Sequence, residues 1–497
     1  MNFYADYVRN KLNAAISSMS SQIEDYVKNP GHDFTRNRKM NFTSTINFLL
    51  TMEGGSLNSE LHKYFNYDLN QITRSGFIKQ RNKLKPDTME HLFHKFHEQI
   101  LCNKKYQGYQ LLACDGSDLN IFRDPLNPHT YFAGKEGTFG FNQLHLNALY
   151  DLQSRRYVDA LIQEPYEENE SSAMIEMIKK LTANQKTIIM ADRGYETYNI
   201  FANIQERGLF YLIRIKDTSK KGSISGSLSL PVSCEFDEEI ELIMTRKQKF
   251  YKTKGYKYLS NSSPFDFLDS ENLFYTLHLR LTQFQLENGV YECIASNLDR
   301  DEFPLEKIKE LYHMRWGIET SFRELKYTIG LTNLHSKNVE YICQEIYAKL
   351  ILYNFCEIIS ANVILEERNC KYTYQLNYTM AIQICRHYLR QTFVTIDVEG
   401  LIKKEAFSKM KKTCIFLNLG FGPIVVEADL ADALKNNQIA AAGLDVLCEE
   451  PMAANNPLYA IQDSRKLIIT PHTAWASIQA RNKLMDIIHQ HIADFLA

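Results

Sequence analysis

Residues 304–329 read PLEKIKELYHMRWGIETSFRELKYTI. Ile308, Leu311, Ile318, Phe322, Leu325 and Ile329 recur at spacings of three, four and seven, which predicts one amphipathic helix from Pro304 to Ile329. A polar stripe runs one residue out of phase with it: Tyr312, Arg315, Glu319 and Lys326. That spacing sends all four side chains from one side of the helix. The apolar stripe packs the helix on a core, and the polar stripe then faces either a cleft or open solvent.

Two acids upstream favour the cleft. Tyr109–Ile121 (YQLLACDGSDLNI) is a strand candidate that turns polar from Asp115, in Cys114-Asp115-Gly116-Ser117. Thr187–Ala191 (TIIMA) is a short buried strand running into Asp192, in Asp192-Arg193-Gly194-Tyr195. Leu144–Tyr150, Tyr157–Ile162 and Phe210–Ile215 read as further strands, and 171–181 and 196–205 as helices. The alternation indicates an α/β core, with both aspartates at strand ends on the sheet edge where sites form. Alone, each reads as a turn. With Glu319 they make three carboxylates, a cluster that repels itself without cations. Hard oxygen ligands suit Mg²⁺ or Mn²⁺, and two such ions can clamp the attacking and leaving oxygens of a phosphodiester.

The rest of the chain sorts by composition. Residues 1–105 read as a helical, basic region, and Arg74, Lys79, Arg81 and Lys83 form a pattern suited to a DNA groove or to a solvated helix face. Residues 106–216 are the first part of the α/β core, 217–303 a β-rich insertion, and 304–391 its helical end. Within the insertion, 246–258 (RKQKFYKTKGYKY) carries Arg246, Lys247, Lys249, Lys252 and Lys254 among aromatics and has no acid. It is either a DNA contact or an exposed basic hairpin. Overall, 57 Lys+Arg against 59 Asp+Glu exclude a wholly basic coat. The ten cysteines contain no CxxC pair, which argues against a zinc or disulfide framework and for a reduced, cytoplasmic setting. No export signal or membrane span is read: 350–365 is too short and carries Glu357, so it is expected to be a buried helix. His91, His94 and His97 recur every third residue, but Leu92, Phe93 and Phe96 already fill that helix's apolar face.

Tyr312, Arg315, Glu319 and Lys326 match Y-x2-R-x3-E-x6-K at every spacing. With Asp115-Gly116-Ser117 and Asp192-Arg193-Gly194-Tyr195, the sequence over 30–390 resembles the DDE transposases of bacterial insertion sequences, in the insertion-sequence-four group. The resemblance implies an RNase H-like core interrupted by a β insertion before the glutamate. It implies that Asp115, Asp192 and Glu319 hold two Mg²⁺ or Mn²⁺ ions. Arg315 and Lys326 would bind phosphates flanking the scissile bond, and Tyr312 a terminal phosphate. Trp316 is a candidate to stack a flipped base, with core packing as the alternative. The partners implied are double-stranded DNA, both terminal inverted repeats and target, and a second copy in a synaptic homodimer. Such an enzyme works in the cytoplasm, at the nucleoid.

Composition changes near residue 392. Of 29 tyrosines only Tyr459 follows it, while 15 of 30 alanines do. Residues 396–497 read as a partial Rossmann-like α/β fragment. Strands are expected at Cys414–Leu417, 440–446 and 467–469, with helices at 405–412 and 428–437. Gly443-Leu444-Asp445-Val446-Leu447-Cys448-Glu449-Glu450-Pro451 and Thr470-Pro471-His472-Thr473-Ala474-Trp475-Ala476-Ser477 resemble the NAD-binding domain of D-2-hydroxyacid dehydrogenases, near the glycerate dehydrogenase and hydroxypyruvate reductase branch. There Glu450 and His472 would be the acid–base pair, and Asp445 would face the nicotinamide. Phe421 stands where that family has its substrate-binding arginine, and no GxGxxG turn precedes residue 396. The tail is expected to be a remnant without a working cofactor site. The sequence thus points to a DNA transposase, with a NAD-dependent dehydrogenase or a catalytically dead DNA-binding relative as alternatives.

Overall fold

The computed structural model describes residues 3–473 except 37, 101–103, 136, 217–223, 225–227, 229, 232–233, 252, 287–288, 363–375 and 392–399. Lys252 and the Ala474–Ser477 end of the second tail motif lie outside the described residues. The chain divides into two compact units, Met1–Phe393 and Val394–Ala497. No helix among the described residues is long and apolar enough to cross a membrane.

The first unit opens with five helices: α1 (Phe3–Ser21), α2 (Phe42–Thr51), α3 (Leu57–Tyr64), α4 (Arg74–Arg81) and α5 (Thr88–Gln99). Asn41, Ser56 and Thr73 cap α2, α3 and α4 by accepting a backbone N–H three residues on. Then come β1 (Gln110–Ile121), β2 (Tyr131–Phe132), β3 (Phe141–Asp151), β4 (Arg156–Gln163), α6 (Glu170–Lys180), β5 (Thr187–Ala191), α7 (Tyr198–Glu206) and β6 (Phe210–Ile215). Four more strands follow: β7 (Phe236–Thr245), β8 (Tyr256–Tyr258), β9 (Phe274–Gln285) and β10 (Tyr291–Ser296). Helices α8 (Leu305–Met314), α9 (Trp316–Arg323), α10 (Val339–Ser360) and α11 (Tyr378–Gln391) complete the unit.

All ten strands share one sheet. Its centre runs β4-β3-β1-β5-β6: β3 is antiparallel to β1 and β4, whereas β1, β5 and β6 are parallel. This is the RNase H-like order. The β-rich stretch is not a separate sheet. β10 pairs antiparallel with β6, so β10, β9, β7 and β8 extend the core sheet outward. Both faces of β1 are buried. Leu112 and Cys114 pack with α6 and α7, while Leu111 meets α8 and Ala113 faces the core formed by the first five helices with α9, α10 and α11. Helix α10 is buried along most of its length, and Glu357 within it pairs with Arg155 at 3.1 Å.

Three expectations change. The strand read over Tyr109–Ile121 forms as β1, and Asp115 lies inside it, not at its end, because β3 pairs with β1 as far as Ile121 opposite Asn142. The helix expected over 304–329 is interrupted at Arg315 and closes in a π turn over Glu324–Thr328. The basic stretch 246–258 is no hairpin: β8 returns parallel to β7, with Tyr256 opposite Ile243.

In the second unit, α12 (Lys404–Ser408) and α13 (Glu427–Lys435) accompany a parallel sheet of β11 (Ile415–Asn418), β12 (Ala441–Leu444) and β13 (Leu467–Ile469). Phe407, Val425, Leu430, Leu434, Ala442 and Leu444 form its core. Ile415 and Leu417 on β11 and Ile468 on β13 are about 60% exposed, at 64%, 63% and 60%.

Candidate active site

The acids meet where β5 stops. Parallel pairing of β1 with β5 reaches only Ala113 opposite Met190. Beyond it the chain leaves β5 at Asp192, and Asp115 lies on the part of β1 that β5 no longer covers. Asp192 caps the turn that follows, its Oδ1 accepting the Gly194 N–H at 2.7 Å. Asp115 Oδ1 accepts the Gly116 N–H at 2.9 Å. Glu319, on α9, accepts from Arg315 Nη2 at 2.9 Å. Burial pushes the Asp115 carboxyl up to about 6 against the pull of the Gly116 N–H and Arg315, and the Asp192 and Glu319 carboxylates add to the rise. The three acids therefore share one electrostatic environment. Such a hard-oxygen donor set, costly to ionise without a counter-charge, fits a divalent cation.

The polar stripe is more buried than its spacing implied. Arg315 is 5% exposed; its guanidinium lies 5.5 Å from the Tyr312 ring centre and 5.6 Å from that of Trp316. Tyr312 packs into the core beneath the sheet with its hydroxyl buried and unpartnered, so it does not stand open to a phosphate. Trp316 is 55% exposed and is not a core residue. Lys326 Nζ donates to the Asp118 carbonyl at 2.8 Å, which ties the π turn to β1.

The expected DNA contacts divide sharply. Arg74 and Lys79 are exposed on α4, and Lys83 is half-buried over the Phe34 ring at 4.9 Å. Arg81 is fully buried, donating to Glu345 at 2.8 Å, to Gln344 at 3.0 Å and to the Tyr341 carbonyl at 2.6 Å. It is a structural cation, and the DNA-contact reading of it is wrong. Arg246 spends its guanidinium on the Ser260 and Ser263 carbonyls, which holds a loop. Lys247 lies over Phe274, while Lys249 and Lys254 are exposed. Phe250 stacks on Tyr256 at 4.4 Å, so these rings are committed to each other.

Sequence reasoning missed a neighbouring group. His145 on β3 is buried, with Nδ1 2.9 Å from Asp118 and 3.5 Å from Glu168, and Nε2 3.3 Å from Glu170. Ligand atoms of Asp118, His145 and Glu168 lie within 4.8 Å of one another. Burial alone would lower the imidazole, but the carboxylates outweigh it and raise it to about 9. With both ring nitrogens protonated, this imidazole is a counter-charge to the carboxylates around it. The signal was present as four acids within 164–170, which reads as a solvated loop.

In the tail, His472 Nδ1 and Glu450 Oε2 lie 2.9 Å apart beside a cavity of about 380 Å³ that Asp445, Met452 and Thr470 also line. Asp445 is buried, accepting from Thr470 Oγ1 at 2.6 Å and the Thr473 N–H at 2.8 Å. Phe421 is 49% exposed.

Two family profiles match the chain. One, for the D-isomer specific 2-hydroxyacid dehydrogenase NAD binding domain, covers residues 337–474. Its first residues fall on α10, inside the first unit. The hydroxypyruvate reductase of Blautia hydrogenotrophica is 37% identical over 155 residues, 31% of this chain and 45% of its own. The glycerate dehydrogenase of Methylorubrum extorquens is 39% identical over 104 residues, 21% of this chain and 33% of its own. The chain thus spans less than half the length of these relatives. Among solved structures, the piggyBac transposase synaptic complex with hairpin DNA aligns over 79% of each chain at 12% identity and a TM-score of 0.41. The other profile, Transposase DDE domain, spans residues 106–355 and takes in both strand aspartates, Glu319 and Lys326. Half of the chain is matched by it, and the chain belongs to this DDE transposase family.

Proposed function

We propose that the chain is a DNA transposase that cleaves the ends of its own element and joins the freed 3′-OH to target DNA. The observation that carries this reading is the meeting of Asp115, Asp192 and Glu319 at the end of β5, with Arg315 fixed beside them. These acids would hold two divalent cations, Mg²⁺ or Mn²⁺. Such ions, when bound, supply Lewis-acid charge to the attacking and leaving oxygens of a phosphodiester.

The chain's own residues position the DNA. Arg315 is pinned by Glu319 and by two rings, so it offers the phosphate beside the scissile bond a pre-oriented planar donor. Lys326 adds a second cation close to β1. Tyr312 supports Arg315 from below instead of touching the phosphate. Trp316, exposed next to Arg315, offers a face to an unstacked base. Arg74, Lys79, Lys249 and Lys254 follow the backbone of the double-stranded ends. A second copy completes the synaptic assembly as a homodimer. The test is Asp192→Ala: DNA affinity should persist while cleavage of the element's ends with Mg²⁺ or Mn²⁺ disappears. Cleavage at the normal rate by that variant would refute the assignment and favour a DNA-binding relative without chemistry.

A dehydrogenase reading of the whole chain has the Glu450–His472 pair at 2.9 Å in its favour. Hydride transfer also needs a cofactor gripped by its pyrophosphate and a carboxylate gripped by an arginine. The chain contains no GxGxxG, and Phe421 takes the arginine's place. We read the tail as a dehydrogenase remnant without turnover. Oxidation of NADH with hydroxypyruvate by the intact chain would overturn that reading.

A further inference from the structure

A fourth carboxylate sits at the catalytic edge, outside every motif. Glu170 opens α6 directly after its cap Asn169, which accepts the Ser172 N–H. Its two oxygens lie against two glycines. A Cβ at Gly116, next to Asp115, would stand 2.5 Å from Glu170 Oε1 and 2.3 Å from His145 Nε2. A Cβ at Gly194 would stand 3.5 Å from Glu170 Oε2 and 3.0 Å from Asp192 Oδ1. Any side chain at Gly116 would therefore strike this pair, and one at Gly194 would press on Asp192. Glu170 reaches from one aspartate-bearing segment to the other through space that glycine leaves open.

A third acid set against both aspartate-bearing segments is unfavourable unless something compensates it. His145 compensates only in part. Its side chain is 6% exposed, and its buried Nε2 makes no well-angled hydrogen bond although it points at Glu170 Oε1 from 3.3 Å. Nδ1 is already used by Asp118 and Glu168. One imidazole has two ring nitrogens and faces three carboxylates, so it cannot donate fully to all of them. Arg315 meanwhile offsets Glu319, so the named triad brings less net charge than two divalent ions carry. Oε2 of Glu170, on the Gly194 side next to Asp192, is a group placed to supply part of that difference.

We infer that Glu170 is a fourth carboxylate of the divalent-cation site, and that His145 is the positioning residue that fixes it there. This rests on the reading of Asp115, Asp192 and Glu319 as the acids that hold the ions. The test is Mn²⁺ binding to the intact chain without DNA, followed by calorimetry, with melting temperature recorded for each variant. Glu170→Gln, equal in size, should weaken Mn²⁺ binding about tenfold or more. Glu170→Asp, which keeps the charge, should recover part of that loss. His145→Gln should weaken binding less than Glu170→Gln, and Glu168→Gln, on the same histidine, should leave it unchanged. Wild-type affinity in Glu170→Gln, with affinity lost in Asp115→Asn, would overturn this inference and leave the triad standing. Wild-type affinity in Asp115→Asn as well would overturn both.

Discussion

Glu319 with Arg315 and Glu450 with His472 are both acid–base pairs at 2.9 Å, each in a motif that matches its family. Their surroundings differ. Arg315 is 5% exposed, held between two rings and close to two further acids. The side chains of His472 and Glu450 are 49% and 38% exposed, next to a sheet whose apolar residues Ile415, Leu417 and Ile468 face outward. A motif supplies groups, but only burial and neighbours fix their geometry and make their charges strong. The front edge has those supports, whereas the tail pair stands more open to solvent.

The comparison can be broken first at Arg315. Replacing it with Ala removes a pre-oriented donor and should slow end cleavage by about a hundredfold or more, against a much smaller effect on binding. His472→Gln should leave cleavage unchanged. Equal effects from the two variants would erase the distinction between the regions.

Burial should also separate the basic residues. Arg81→Ala leaves Glu345 buried without its arginine and should cost about 3–5 kcal/mol of stability in denaturant unfolding. Lys79→Ala, exposed on the same helix, should leave stability within about 0.5 kcal/mol while weakening DNA binding. If Arg81→Ala instead melts normally and binds DNA poorly, the structural assignment of that arginine fails.

pH offers a third route. A protonated Asp115 cannot hold a cation, so metal-dependent cleavage should fall as pH drops through about 6, approaching tenfold per unit. Extra Mg²⁺ should move the midpoint lower. The metal-free chain should respond in the opposite sense. The folded state binds the Asp115 proton more readily than an ordinary carboxylate, so this residue's contribution to stability rises as pH falls through the same window. A flat cleavage profile between pH 5 and 7, assayed at about 1 mM Mg²⁺ or less, would exclude Asp115 as the limiting ligand.

Smaller effects belong to the surface. Neutralising Lys249 and Lys254 together should reduce the slope of log affinity against log salt by about 2. An unchanged slope would leave that loop a solvated one. In the tail, a calorimetric titration of the intact chain with NAD should show no saturable heat, and a clear isotherm would restore the cofactor site.

Much of the fold was legible because its central strands are local apolar runs with sharp polar borders. β5 and β6 have the bounds that the sequence predicts, as does β13. What failed depended on partners far along the chain. Asp115 reads as the end of its strand, yet β3 pairs with β1 past it to Ile121. Arg81 looks like part of a basic face, and its acid is Glu345 on α10. Helical spacing placed Tyr312 and Arg315 on one side but could not show that Tyr312 packs into the core beneath the sheet. Glu170 and His145 meet only because β3, β1 and α6 converge, and neither belongs to a recognisable spacing.

The most direct test of the central claim is end cleavage by the intact chain, on DNA carrying the repeats that flank its own reading frame. Wild type should produce free 3′-OH ends only with Mg²⁺ or Mn²⁺, a Glu450→Gln, His472→Gln double variant should match it, and Glu319→Ala should produce none. Full cleavage by Glu319→Ala would contradict the account.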